Sequence, residues 1–238
     1  EKLFKKYKFD FIFHLAAQAG VRYSIDNPDV YVDSNIVGFF NILNLSKNFK
    51  VKHFIYASTS SVYGNSIKFP NQESDETSLP LSFYAATKKS NEVMANSFSE
   101  IYNFKTTGIR FFTVYGPFGR PDMALFKFTK NIIENKYITI FNNGKHTRDF
   151  TYVDDVVEGI ILLINSKKRR KLSEIYNIGS SNPKKLLYFL NIIENTLNLK
   201  AKKKYIFCIY NFLYTYLNKY NNYRFIQQIK CRQLIKKN

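Results

Sequence analysis

Short apolar runs alternate with long segments of helical periodicity, and this alternation limits the fold more than any other property of the chain. FDFIFHLAA (9–17), KHFIYAST (52–59), TTGIRFFTV (106–114) and YITIF (137–141) are compact and rich in β-branched or aromatic residues, as strands are. Between the first three, NPDVYVDSNIVGFFNILNLSKNF (27–49) and SFYAATKKSNEVMANSFSEIYNF (82–104) repeat apolar residues every three or four positions, the spacing of a helix with one buried face. Pro28 after Asp26 and Asn27, and Ser82 ahead of Tyr84, suit helix starts. Strands joined through helices imply α/β architecture, a doubly wound parallel sheet. In such sheets ligands sit beyond the carboxyl ends of the strands, where HLAAQAG, ASTSSVYG and FFTVYGP fall.

The net charge of +18 suggests nucleic acid until it is divided. Residues 1–163 carry 19 Lys/Arg against 16 Asp/Glu, whereas residues 164–238 carry 17 against 2. The basic character therefore belongs to the last third. Beyond Glu194 there is no acidic residue, and beyond Gly179 no glycine. YIFCIYNFLYTYL (205–217) has neither turn signals nor a clean face. A membrane-surface anchor or an RNA-binding tail would suit this composition. The reading preferred here is a stretch translated out of frame from A/T-rich DNA. Two cysteines and the isolated His14, His53 and His146 suggest no disulfide scaffold and no metal site. With no apolar run of membrane length and no leader pattern at Glu1, a cytoplasmic protein is expected.

Tyr84 and Lys88, four apart at the start of the second helical segment, are by spacing alone an ordinary surface pair. They are also a workable acid–base pair. A phenol with an unperturbed pKa of about 10 needs a nearby cation to act as a base near neutrality. A hydroxyl donor would hold the substrate oxygen, and Thr59 at the end of a strand is the candidate. Ser60 and Ser61 follow it closely enough to take that part.

HLAAQAGVRYS, YASTSSVYG, YAATKKSNE, RFFTVYGPFGRPDMALF and RDFTYVDDVVEGI, in this order, resemble the extended short-chain dehydrogenase/reductase superfamily. Within it they are most similar to nucleotide-sugar epimerases of the UDP-glucuronate 4-epimerase type, over residues from about 10 to about 200. The resemblance implies a Rossmann-like NAD-binding fold, with Tyr84 as acid/base, Lys88 as ribose ligand and pKa tuner, and Thr59 completing the triad. It implies that Leu15, Ala16 and Ala17 run along the cofactor, that Asn35 buttresses that strand end, and that Phe111 to Val114 approach the nicotinamide. Simple core packing is the competing reading of these apolar positions. Thr113, Ser60, Ser61, Arg22, Arg120 and Arg148 are the implied substrate-side residues, with Arg148 on the diphosphate. A homodimer is the implied assembly.

The implied reaction is interconversion of UDP-glucuronate and UDP-galacturonate through a 4-keto intermediate. The related 4,6-dehydratases carry Asp-Glu after the residue equivalent to Thr59, and the decarboxylases a glutamate in that turn. Here Ser60 and Ser61 stand there, which disfavours the dTDP-glucose 4,6-dehydratase reading strongly and the UDP-glucuronate decarboxylase reading less. Arg120 reads as a clamp for the substrate carboxylate, or as a solvated loop arginine. Asp149, Asp154 and Asp155 read as helix N-terminal residues rather than an acid/base set.

No G-x-G-x-x-G cluster occurs, the nine glycines being spread singly from Gly20 to Gly179. The chain accordingly reads as lacking its first βαβ unit. The expected organisation is a partial Rossmann domain over 1–115, a mixed region over 116–200 with a partial C-terminal substrate-binding part, and a basic aromatic tail over 201–238. On this reading the polypeptide is an impaired fragment of an epimerase. The contrasting readings are a non-catalytic remnant and a basic binder of nucleic acid or membrane surface.

Overall fold

In a computed structural model, residues 1–66, 68–145, 147–166 and 171–206 are described. They form two compact units, one of residues 1–119 with 148–184 and one of residues 120–147 with 185–206. These boundaries differ from the sequence division at 115 and 200. The reason is that the chain leaves the first unit after Gly119 and returns to it at Arg148. Most of the tail, including Cys208 and Cys231, lies outside the described residues, as does His146.

The first unit is built on a four-stranded parallel sheet of β1 (Phe11–His14), β2 (His53–Thr59), β3 (Thr106–Phe111) and the strand Ser173–Ile178, in that spatial order. Because successive strands are neighbours and parallel crossovers are right-handed, the helical connections between β1, β2 and β3 fall on one face. The aromatic and aliphatic side chains of that face fill the core: Phe39 and Leu43 from the helix Gly38–Asn48, Phe54 and Tyr56 from β2, and Ala95 from the helix Phe83–Tyr102. The long helix starts where the sequence indicates, the Ser82 side chain accepting the Ala85 amide. The expected fold class therefore stands, with a strand over 173–178 that the apolar-run search did not single out.

Two local features depart from expectation. YITIF does not join the sheet; as the strand Tyr137–Phe141 it pairs in parallel with Lys202–Ile206 in the second unit. There Ile138 and Ile140 pack with Phe128, Ile132 and Leu190 from the helices Ala124–Ile133 and Leu186–Leu197. An alternating buried strand satisfies its backbone equally well in a small sheet, so composition alone cannot assign it to one sheet or another. The first six residues of the expected tail thus include an ordered strand. The segment 27–49 is also not one regular helix, because Val32–Val37 forms a π-helical turn between Pro28–Tyr31 and Gly38–Asn48. Such turns place one extra residue and re-aim the side chains they carry.

The packing of the sheet is close enough to test. A methyl group on Gly108 would lie 2.6 Å from the Tyr56 hydroxyl and 2.7 Å from both a Tyr56 ring carbon and Ile175 Cδ1. Tyr56 is fully buried, so its ring has nowhere to retreat. Gly108→Ala is expected to cost about 1–3 kcal/mol, read as a lower urea midpoint with unchanged slope. Tyr56→Phe alone should be neutral or stabilising, because the buried hydroxyl has no hydrogen-bond partner among the described residues. It should restore little in the double variant, since the ring-carbon clash remains.

Candidate active site

Of the candidates, Leu15 to Ala17 follow β1 and Thr59 and Phe111 end β2 and β3, while the others are carried by further elements. Tyr84 and Lys88 occupy the first two turns of the helix Phe83–Tyr102. The Tyr84 amide donates to Ser24 Oγ at 3.2 Å, and its ring meets that of Tyr31 edge-on at 6.1 Å. Tyr31 is itself pinned by donating its hydroxyl to the carbonyls of Ala19 (3.1 Å) and Gly20 (2.6 Å). The loop after β1 is therefore stitched to the start of the helix.

Asn35 completes this stitching from the π-helical turn. Its Oδ1 accepts the Gln18 amide at 2.8 Å, and its Nδ2 donates to the Gln18 carbonyl and to Thr87 Oγ1, both at 3.0 Å. Asn91 Nδ2 donates to the Asn35 carbonyl at 2.6 Å. Leu15, Ala16 and Ala17, just upstream, are exposed. A rigid, uncovered length of backbone results.

Thr59 ends β2 and caps the short 3-10 turn Ser60–Tyr63, its Oγ1 accepting the Ser61 amide at 3.2 Å. One lone pair is thereby used while the O–H stays available to donate. Thr59 pairs in register with Phe111 of β3. Thr113 and Val114 continue into the strand Thr113–Tyr115, which pairs with Phe150–Tyr152.

Lys88 is 2% exposed, and no described residue hydrogen-bonds to its ammonium. Burial lowers its pKa to about 8, opposed by the negative charge of Glu92. His14 at the end of β1, stacked on Phe54 and edge-on to Phe39, is lowered to about 4 by burial and by the charge of Lys88. It is neutral at physiological pH. A buried ammonium with no hydrogen-bond partner among the described residues is a donor set for an acceptor-rich ligand. This suits the vicinal hydroxyls of a ribose, so the residues present fit the nicotinamide-riboside half of NAD.

A pH dependence follows. The unfolded state keeps Lys88 charged up to about 10.4, the folded state only up to about 8. Between these values the unfolded chain binds more protons, so the stability cost of burying Lys88 is relieved as pH rises. The stability gap between the parent chain and Lys88→Met is expected to narrow from pH 8 to 10.4, as followed by urea denaturation at each pH.

Other sequence candidates are placed differently. Arg120 belongs to the second unit, where its guanidinium forks onto Asp122, with Nε 2.9 Å from Oδ1. Arg22 and Arg148 are exposed in the first unit. Asp154 and Asp155 do lie in the first turn of the helix Val153–Asn165. Asp149 does not; it accepts the amides of Ser180 and Ser181, both at 2.9 Å, and so ties down the turn after the strand Ser173–Ile178. Sequence reasoning missed the pair Glu92–Arg110, buried below the site. A charged residue in the middle of the apolar run TTGIRFFTV was the available signal.

A model of the NAD dependent epimerase/dehydratase family matches residues 1–179. The chain belongs to that family. Among its relatives, protein CapI of Staphylococcus aureus is 50% identical over 86% of this chain and 66% of its own length. UDP-glucuronate 4-epimerase 5 of Arabidopsis thaliana is 46% identical over 85% of this chain and 50% of its own length. The crystal structure of the UDP-glucuronic acid 4-epimerase of Bacillus cereus, in complex with UDP-glucuronic acid and NAD, superposes with a TM-score of 0.80. It shares 36% identity, covering 86% of this chain and 64% of that one. The UDP-N-acetylglucosamine 4-epimerase of Methanobrevibacter ruminantium is similarly close, with a TM-score of 0.78 and 31% identity over 87% of this chain and 66% of that chain. The chain spans between half and two-thirds of the length of these family members. Among the described residues no helix is long and apolar enough to cross a membrane.

Proposed function

We propose that the site serves 4-epimerisation of a UDP-hexuronic acid, interconverting UDP-glucuronate and UDP-galacturonate. The observation that carries this reading is the conjunction at one set of strand ends. Tyr84 stands one helical turn from the buried Lys88, on a helix that contacts the Ser60–Tyr63 turn, and that turn with its cap Thr59 offers hydroxyls and no carboxylate. Relatives named UDP-glucuronate 4-epimerase support the choice of substrate.

Bound NAD supplies reversible hydride acceptance. Lys88 would hold its ribose, and Leu15–Ala17 and Phe111–Val114 would line it. Tyr84 as phenolate takes the proton of the C4 hydroxyl as hydride leaves C4, and later returns it to the C4 oxygen when hydride comes back to the opposite face of the rotated 4-keto sugar. Thr59 donates to the C4 oxygen throughout, so that charge developing there is met by a fixed dipole. Lys88 favours the phenolate by its charge. Ser60 and Ser61 bind without titrating, so neither elimination of water nor a further proton transfer has a group to run it. Thr113 and Arg22 face the sugar, and Arg148 pairs with the diphosphate. Arg120, whose guanidinium forks onto Asp122 in the second unit, is the fork proposed for a carboxylate. The fork suits a carboxylate held in the plane of the β-keto acid, where loss of CO2 is hindered. The chain works in the cytoplasm as a homodimer.

The test is product identity. Incubation of the chain with NAD and UDP-glucuronate, followed by proton NMR of the anomeric region, should give UDP-galacturonate. A UDP-pentose with release of CO2 would assign a decarboxylase, and a 4-keto-6-deoxy sugar from dTDP-glucose a dehydratase. No product together with no saturable NAD binding would make the chain a non-catalytic member of the family.

A further inference from the structure

A buried polar network lies one layer below the strand ends, and no step of the proposed reaction uses it. Ser58, Arg110 and Asn177 stand in register on β2, β3 and the strand Ser173–Ile178, forming a row across the sheet. The next row holds Thr59, Phe111 and Ile178. Arg110 is 3% exposed. Its Nε and one terminal nitrogen donate to the two carboxylate oxygens of Glu92, at 2.8 and 2.9 Å. Its other terminal nitrogen donates to the Tyr63 hydroxyl at 2.9 Å and to the Glu73 carbonyl at 3.2 Å. Tyr63 passes its own proton to Asn177 Oδ1 at 2.7 Å, and Ser58 donates to Glu92 at 2.7 Å. The Glu73 carboxylate accepts the Asn177 amide at 2.8 Å.

Each partner adjoins a candidate site residue. Glu92 is one turn beyond Lys88 on the same helix, Ser58 precedes Thr59, and Tyr63 closes the 3-10 turn that carries Ser60 and Ser61. We propose that Arg110 is a positioning residue. Its guanidinium spans Glu92 and Tyr63, setting the spacing between the helix that carries Tyr84 and Lys88 and the turn that carries Thr59, Ser60 and Ser61.

The inference rests on reading those five residues as the reacting group, but its physical basis is separate. A buried ion pair is a poor source of stability, because desolvation offsets the attraction, and apolar pairs of similar volume often replace one without loss. What an apolar pair lacks is direction. The planar guanidinium fixes two partners at set angles, where packing alone permits sliding. An ångström of misplacement costs on the order of 10²-fold in rate.

The test compares the parent chain with Arg110→Met/Glu92→Leu, which removes both charges together, and with Arg110→Lys, which keeps the charge and loses the fork. Three readouts are taken on the full chain: the denaturation midpoint, the kcat and KM for UDP-glucuronate with NAD, and amide exchange. The expected result for the double variant is a parental midpoint and KM, with kcat lower by about 10²-fold. Amide exchange over 60–66 and 71–75 should be faster by about tenfold, while the helix 85–99 keeps its protection. Arg110→Lys should show the same kcat loss, and it supplies the answer if the double variant fails to fold. Parental kcat and parental exchange in either folded variant would overturn the proposal. If the parent chain itself makes no epimer, the functional reading fails separately, and exchange over 60–66 alone decides whether Arg110 positions that turn.

Discussion

Tyr84→Phe is expected to lose about 10²–10⁴-fold in epimerisation while folding as stably as the parent chain. The substitution removes one oxygen and leaves the ring, so the edge-on contact with Tyr31 and the backbone bond to Ser24 both survive. Without the phenol the neighbouring candidates are poor bases, because burial and the charge of Lys88 lower the His14 pKa to about 4 and Ser60 and Ser61 do not titrate near neutrality. Saturable NAD binding should persist, since Lys88 is untouched. The checks are NMR quantitation of the C4 epimer and thermal denaturation of both proteins. A variant that keeps its rate would move the acid/base role elsewhere and with it the whole assignment of the site.

The second large effect is on stability. Glu92→Ala strips the carboxylate from Arg110, leaving a 3%-exposed guanidinium without its counter-ion and Ser58 without its acceptor. Breaking one side of such a pair costs about 3–5 kcal/mol, a large share of the ~5–15 kcal/mol that holds a domain folded. The variant should unfold at much lower urea or accumulate as insoluble protein, in contrast to the paired apolar replacement. The pH dependence has a definite sign. Burial raises the Glu92 pKa, but the bonds and charge of Arg110, with Ser58 and Lys89, outweigh it and hold the carboxyl below its ordinary value. The stability it contributes is therefore complete above about pH 4.3 and fades as the pH falls through the lower folded value. Acid denaturation should come at higher pH in Arg110→Lys than in the parent chain, because a monodentate amine holds Glu92 less firmly.

Much of the site was legible because its residues sit where regular elements end. Apolar runs mark β1, β2 and β3, their last residues mark the ligand side of the sheet, and Ser82 marks the start of the helix that begins with Phe83. Those boundaries place Tyr84 and Lys88 at the start of a helix and Thr59 at a strand end, whereas joining the three as one site came from the family resemblance. Asn35 could be named as a buttress, but its reach could not, since regular helix was expected across the turn that is π-helical. Arg120 shows the opposite case. Its residue type suited a carboxylate, and the fold gives it Asp122 as a carboxylate already at hand. Asp149 looked like a helix N-terminal residue and instead holds the turn at Ser180 and Ser181, 31 and 32 positions away.

The sequence by itself determined the parallel sheet, the helix that carries Tyr84 and Lys88, and the placement of Thr59 at a strand end. Periodicity and capping act over a few residues and are written in the chain. Only the tertiary structure decided that Lys88 is buried with no hydrogen-bond partner among the described residues, that YITIF joins a different unit, and that Arg110 links Glu92 to Tyr63. Those facts depend on which distant segments become neighbours and on how much water they exclude. A pKa or a buried ion pair is set by that exclusion, and no local pattern contains it.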